Sequence, residues 1–434
     1  MKFHSEREAL TLELHDRPFR PMTAPLRVSQ LALATGERGG ERDHAQFAAL
    51  CRRYGKAEPA AGAKHFTVDL GPFTVKWERH TEFSTYTLLR EEPVDQPFDE
   101  TVFDLVPAEW KDGLYGEVMV ALHLTVTVDG ADPAGLSEID GNRLSRWFAG
   151  NPVFGSALAA GTAQLYGDLR THDDGFERLL LRTAGPEPVL LGQLVQRILE
   201  LFTYARFAML SLPIARAASP RLEGIERGLA EVAETLAAAG RLESDEALLE
   251  RLSALSAELE DVVAASNYRY GASTAYAEIV ENRLRDLQPV AAEGYINLVG
   301  YLMRRLSPAM RTCLSVATRQ EALSRRANRL SSLLRTGIEV RLEAQNRDLL
   351  ESMNRRSAQA LALQRTVEGL SVVAVSYYAI GLVKVVLEGL AKTGYLGGVS
   401  PTVGAALALP VVVAAIWLGL RRLTHRVLEK PRGD

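Results

Sequence analysis

Apolar residues follow three successive spacings along the chain, and each marks a different kind of structure. Up to about residue 187 the spacing is short and two-fold. HFTVDL (65–70), FTVKWER (73–79) and EFSTYTLL (82–89) alternate branched or aromatic side chains with polar ones, as half-buried strands do. VMVALHLTVTV (118–128) is a longer strand closed by Asp129-Gly130, and AQLYGDLRTH and FERLLLR flank the hairpin signal Asp173-Asp174-Gly175. Helical spacing is confined to Asp43–Tyr54 and a short turn at Arg143–Phe148. These elements predict an α+β (or α/β) sheet domain over 1–187.

Over 188–366 the period becomes helical throughout. Leu191–Leu212 predicts one helix, Ser219-Pro220 opens a second ending near Gly240, and Ser244-Asp245-Glu246 caps a third running toward Leu287. A shorter helix covers 293–306, and Ser307-Pro308 starts the last. Leu323, Ala327, Leu330, Leu334, Ile338, Leu342, Leu349 and Met353 recur at three, four or seven residues, one stripe on a long stalk helix. Because the spacing drifts toward four, a strict heptad coiled coil is not expected.

The third pattern is almost unbroken apolarity at 367–422, where 370–390 and 403–420 are each long enough to cross a hydrocarbon core of roughly 30 Å. The second stretch has no charge. The first holds Lys384 and Glu388 near one end, at the i,i+4 spacing that allows pairing. Eleven Val, Ile and Leu residues at about −0.5 kcal/mol each offset a charge costing about 3, so both stretches qualify as spans of a transmembrane hairpin. Arg355, Arg356 and Arg365 precede the hairpin, and Arg421, Arg422, Arg426, Lys430 and Arg432 follow it. The positive-inside rule then puts both termini in the cytoplasm, with 423–434 a basic tail. MKFHSEREALTLELHDRPF has no continuous apolar stretch, so no signal peptide is expected.

Composition adds mainly exclusions. In 434 residues, 50 Lys and Arg face 54 Asp and Glu, too weak a field for a nucleic-acid partner. Cys51 and Cys313 lie too far apart in sequence to suggest a disulfide framework or a multi-cysteine zinc site. Phosphate-loop, dinucleotide, metalloprotease and nucleophile-elbow patterns are missing, so neither an enzyme nor a cofactor is expected. GERGGERDH (36–44) reads as a surface turn, HDRPF (15–19) as a packed approach to the sheet, and His172-Asp173-Asp174 as a solvated turn in preference to a metal site. KWERHTEFSTYT (76–87) is the densest functional stretch: alternation sets Glu78, His80 and Glu82 on one strand face, opposite Trp77 and Arg79. That face either takes a ligand, cation or basic partner or is simply a polar sheet face.

HDRPFRPMTAPLRVSQLA, GAKHFTVDLGPFTVKWERHTEFSTYT, NYRYGAS, LSPAMRTC and TVEGLSVVAVSYYAIGL together resemble an uncharacterised family of bacterial membrane-anchored proteins, a domain of unknown function, over about 9–422. The resemblance implies anchoring in the bacterial inner (cytoplasmic) membrane and no stated activity. By order of elements alone the chain is also similar to CorA-type magnesium channels, which are pentamers. Their Gly-Met-Asn motif is replaced here by LEGLAKTGYLGGV (387–399), which puts magnesium selectivity in doubt. The expectation is therefore a membrane-anchored protein whose cytoplasmic domain binds a small ligand or a partner. The alternative is a CorA-like oligomeric channel in which Tyr377, Gly381, Lys384 and Glu388 lie on or beside a pore stripe.

Overall fold

The computed structural model describes residues 3–8, 10–11, 19–36, 39–129, 136, 139–238, 244–392 and 400–428, the last with backbone alone at 420, 421 and 423–428. The predicted features at 15–18, around Gly240, in the loop at 393–399 and in the tail beyond 428 lie outside the described residues. Those residues form two compact units, 1–331 and 332–434.

The first unit is built on a nine-stranded sheet in the order β2-β3-β4-β1-β5-β8-β7-β6-β9. Its strands are β1 (Leu26–Ala34), β2 (His65–Asp69), β3 (Thr74–Arg79), β4 (Phe83–Glu91), β5 (Glu117–Val128), β6 (Phe154–Leu158), β7 (Ala163–Gly167), β8 (Glu177–Thr183) and β9 (Val290–Ala291). All neighbours are antiparallel except β5 and β8, so the fold is α+β and not a doubly wound α/β sheet. Between the strands lie helices α1 (Gly40–Arg53), α2 (Ala108–Asp112) and α3 (Gly141–Trp147). After β8 come α4 (Pro188–Ala208), α5 (Ser211–Ala237), α6 (Asp245–Leu287) and α7 (Leu298–Lys392), and α8 (Pro401–Leu428) completes the chain.

β1 is an interior strand beside the central β5, and every residue from Leu26 to Leu33 is buried. One face meets α4, whose Leu191, Val195, Ile198, Phe202 and Ala205 recur at three- and four-residue spacing against Val28, Leu122 and Leu124. Leu284 of α6 and Leu298 of α7 join the same core. The other face is covered by α1 and the segment around α2, with Phe47, Trp77, Tyr86 and Trp110 as its largest side chains. The boundary expected at 187/188 is therefore no break in packing, since strands and helices share one core. β9, from the helical half, even extends the sheet beside β6.

Two predicted helix starts are overturned. Pro220 lies inside α5 and Pro308 inside α7. The expectation treated each proline as a boundary, but one missing N–H costs about 3 kcal/mol, and burial of the apolar stripes on either side offsets it. The start at Ser244 is observed, its hydroxyl accepting from the Ala247 N–H at 3.2 Å. GERGGERDH is not a surface turn: Gly39 and Gly40 are buried, and α1 begins within it. A Cβ on Gly40 would come within 2.5 Å of the Arg79 guanidinium, so the arginine lies directly against the start of the helix.

In the second unit the C-terminal part of α7 and α8 lie side by side. A Cβ on Gly404 would sit 3.1 Å from Leu387, and Ser376 and Ala405 are buried. Three helical stretches are long and apolar enough to cross a membrane: 188–237, the end of α7, and 401–419. They differ in surroundings. In the most apolar 18-residue window of each, 56% of the residues are buried in the first and only 6% in the other two.

Candidate ligand cavity

The sheet face under α4 is apolar at its centre and polar toward β3. Gln30 of β1 stands opposite Thr87 of β4, which stands opposite Lys76 of β3, making one polar row across three strands. Ala32, Thr85 and Glu78 form the next row. Above them α4 presents Gln196, Glu200 and Thr203, one stripe at four- and three-residue spacing. Between these surfaces is a small cavity of about 60 Å³ that opens to solvent at its mouth. Met22, Phe83, Leu89 and Leu199 give it an apolar wall, and Arg20, His80 and Tyr204 also line it.

Hydrogen bonds tie the polar lining together. Lys76 Nζ lies 3.0 Å from Glu78 Oε1 and donates to Gln196 Oε1 at 3.4 Å. Gln196 Nε2 donates to Glu200 Oε1 at 2.8 Å, and Arg283 of α6 closes the chain on Glu200 Oε2 at 2.6 Å. Thr203 Oγ1 donates to Gln30 Oε1 at 3.3 Å. Lys76, Gln30, Thr85 and Thr87 are all buried. Polar groups in such a place need partners, and this cavity offers an incoming molecule both signs of charge, neutral donors and acceptors, and an apolar wall.

The predicted trio Glu78, His80 and Glu82 is only partly brought together. Glu78 and His80 line the cavity, His80 stacking on Phe83 with ring centroids 4.1 Å apart. Both are half-buried, their polar sheet face being partly covered by α4. Glu82 is elsewhere, because β3 ends at Arg79 and the turn before β4 breaks the alternation. Its carboxylate takes a two-pronged contact from Arg269 of α6, Nη1 to Oε1 at 2.8 Å and Nη2 to Oε2 at 2.6 Å. The Tyr276 hydroxyl also donates to Oε1 at 2.8 Å, and burial together with that carboxylate raises the phenol's pKa.

Two buried polar clusters went unforeseen. Asp43 of α1 is fully buried and accepts from the Trp77 indole at 2.6 Å and the Tyr86 hydroxyl at 2.5 Å. Burial, with Asp43 beside it, pushes the Tyr86 hydroxyl's pKa well up. A lone acid near a helix start gives no sequence signal of this role. His123 of β5 did give one, as the single polar ring in an apolar strand. Its Nδ1 meets Ser29 Oγ at 2.9 Å, the ring stacks on Phe176 at 4.0 Å, and Nε2 lies 3.7 Å from Asp174. Ser29 Oγ also accepts the Phe103 N–H at 3.2 Å, tying the ring to the segment before α2. Burial drives the His123 pKa down to about 4. His172 of the nearby turn bonds Asp168 at 2.8 Å, and Asp174 Oδ1 accepts the Phe176 N–H at 2.9 Å.

On the C-terminal helices, Lys384 Nζ lies 3.9 Å from Glu388 Oε1 and both side chains are about half exposed. Tyr377 is exposed and a Cβ on Gly381 would meet open space, so this stripe faces away from α8.

The family described as Protein of unknown function (DUF3422) matches residues 2–427. The chain belongs to that family. No curated protein and no solved structure matches it. Family membership covers both units and carries no activity, and neither membrane anchoring nor the likeness to CorA-type channels follows from it. The structure does show where the resembling stretches meet. KWERHTEFSTYT supplies Lys76, Glu78 and His80 to the cavity and Trp77 and Tyr86 to Asp43, while its Glu82 clasps Arg269 of NYRYGAS.

Proposed function

We propose that this protein is held in the cytoplasmic membrane by the hairpin 367–422 and uses the cavity between β3, β4 and α4 to bind a small polar ligand on the cytoplasmic side, without converting it. The observation that carries the reading is a buried polar row, Gln30–Thr87–Lys76, facing open space where the rest of the face is packed apolar. The contrast between apolar helices supports the anchor: 188–237 finds apolar cover inside the protein, whereas the two C-terminal stretches leave theirs exposed, as helices immersed in lipid do. A binding role suits charged groups already neutralised in pairs, Lys76 with Glu78 and Glu200 with Arg283.

The test is a thermal-shift screen of the purified full chain against small zwitterionic, anionic and polyhydroxylated compounds, with His80→Ala and Lys76→Met in parallel. Compounds that raise the melting temperature of the parent and leave both folded variants unmoved support the cavity. Equal shifts in all three proteins, or none in any, would return these residues to a purely structural role.

A further inference from the structure

We propose that two copies of this chain pair in parallel and in register along one seam of α7 running from Leu342 to Glu388. Upstream, Leu323, Ala327 and Leu330 are buried within the first unit, and the drift toward four is confined to Leu330, Leu334, Ile338 and Leu342. From Leu342 onward it alternates strictly between four and three. The stalk half of the seam is Leu342, Asn346, Leu349, Met353, Arg356 and Ala360, followed by Leu363 and Val367. The same alternation continues without a break through Leu370, Ala374, Tyr377, Gly381, Lys384 and Glu388 in the span. This is the a/d pattern of a left-handed coiled coil, in which supercoiling absorbs the drift of about 20° per heptad.

Three observations name the occupant. Leu342, Leu349, Met353, Leu363, Val367, Leu370 and Tyr377 are each more than half exposed, so no other part of the described chain covers the seam. α8 packs on a different side, where Gly404 approaches Leu387 and Ser376 is buried. Lipid cannot cover the stalk half, because Arg347, Asp348, Glu351 and Arg355 share its turns. All four stand off the seam, and the positions flanking it from 345 to 366 (Gln345, Leu350, Ser352, Ser357, Gln359, Gln364, Thr366) carry no charge. An identical helix can therefore approach without like-charge repulsion from the flanking positions; Arg356, the one charged seam residue of the stalk, meets its own copy and is the seam's one unfavourable layer there. Asn346 at a core position finds its amide partner in a second Asn346, the device that selects a two-stranded, in-register pair. In the span, pairing gathers two lysines and two glutamates in adjacent layers, so that charges otherwise turned to lipid neutralise one another. This span half rests on the anchor reading above; the stalk half does not.

Cysteine cross-linking of the full chain in native membranes tests the seam, with Cys51 and Cys313 buried and silent. Seam positions on facing helices come within disulfide reach, whereas positions on the outer faces lie well beyond 7 Å, so Leu349→Cys and Leu363→Cys should give roughly tenfold more disulfide-linked dimer than Glu351→Cys and Ala358→Cys. Equal yields at seam and outer positions, or none at the seam, would overturn the proposal, as would a mass in detergent above that of two chains. Lys384→Glu should suppress cross-linking through Gly381→Cys, and the exchange Lys384→Glu with Glu388→Lys should restore it; failure to restore would remove the charge pairing. Alkaline-carbonate extraction of the same samples reads the anchor separately. A chain extracted as soluble defeats the anchor, while the Leu349 and Leu363 yields still decide the pairing.

Discussion

Asp43 has no access to water, and its two carboxylate oxygens take the indole N–H of Trp77 and the hydroxyl of Tyr86. Asp43→Ala would leave both donors buried without acceptors, a loss of about 3 kcal/mol at the usual worth of hydrogen bonds to a charged group. Urea unfolding of the variant should show it, and a loss below 1 kcal/mol would mean that water reaches the pair. At His123 the folded pKa of about 4 lies below the ordinary 6.5, so between those values the unfolded chain takes up a proton that the folded one refuses. Its contribution is complete above pH 6.5 and is lost as the pH falls toward 4. Between pH 7 and pH 5 that removes about 2 kcal/mol, and His123→Gln should flatten this part of the pH profile. An unchanged slope in the variant would assign the acid sensitivity to other groups.

Among the elements, those whose surroundings differ on two sides were the legible ones. β3 and β4 alternate because their faces differ, and the strands predicted at 73–79 and 82–89 are found at Thr74–Arg79 and Phe83–Glu91. β1, an interior strand of the sheet, was missed because it is covered on both faces and LRVSQLALA has no simple alternation. The cavity was half legible: Glu78 and His80 came from the strand pattern, but Gln196, Glu200 and Thr203 read as ordinary helix polarity until α4 is laid on the sheet. Glu82 was misplaced because a turn cannot be seen to end an alternation by spacing alone. One glycine sets how closely α4 sits. A Cβ on Gly192 would fall 1.9 Å from the Arg20 carbonyl oxygen, in the segment that supplies Arg20 and Met22 to the cavity. Gly192→Ala should therefore cost about 1–3 kcal/mol, outweighing alanine's better helix propensity, and should weaken any ligand found for the cavity. A neutral or stabilising substitution would show that the N-terminal segment yields freely.

At the scale of the whole molecule, the sequence separated a sheet region, a helical region and two apolar stretches, and the structure joins the first two into one core. What composition could not distinguish was which apolar helix belongs to that core and which has no cover. The burial of 188–237 and the exposure of 401–419 make that distinction. The account depends most on the C-terminal hairpin crossing a membrane with both flanks on the cytoplasmic side, since that decides which compartment the cavity samples. Because Cys51 and Cys313 are buried, a single introduced cysteine can report its side of the membrane against little background. In intact cells an impermeant thiol reagent should label Thr393→Cys directly and Arg432→Cys only after permeabilisation. The reverse pattern, or labelling of both positions before permeabilisation, would contradict the account.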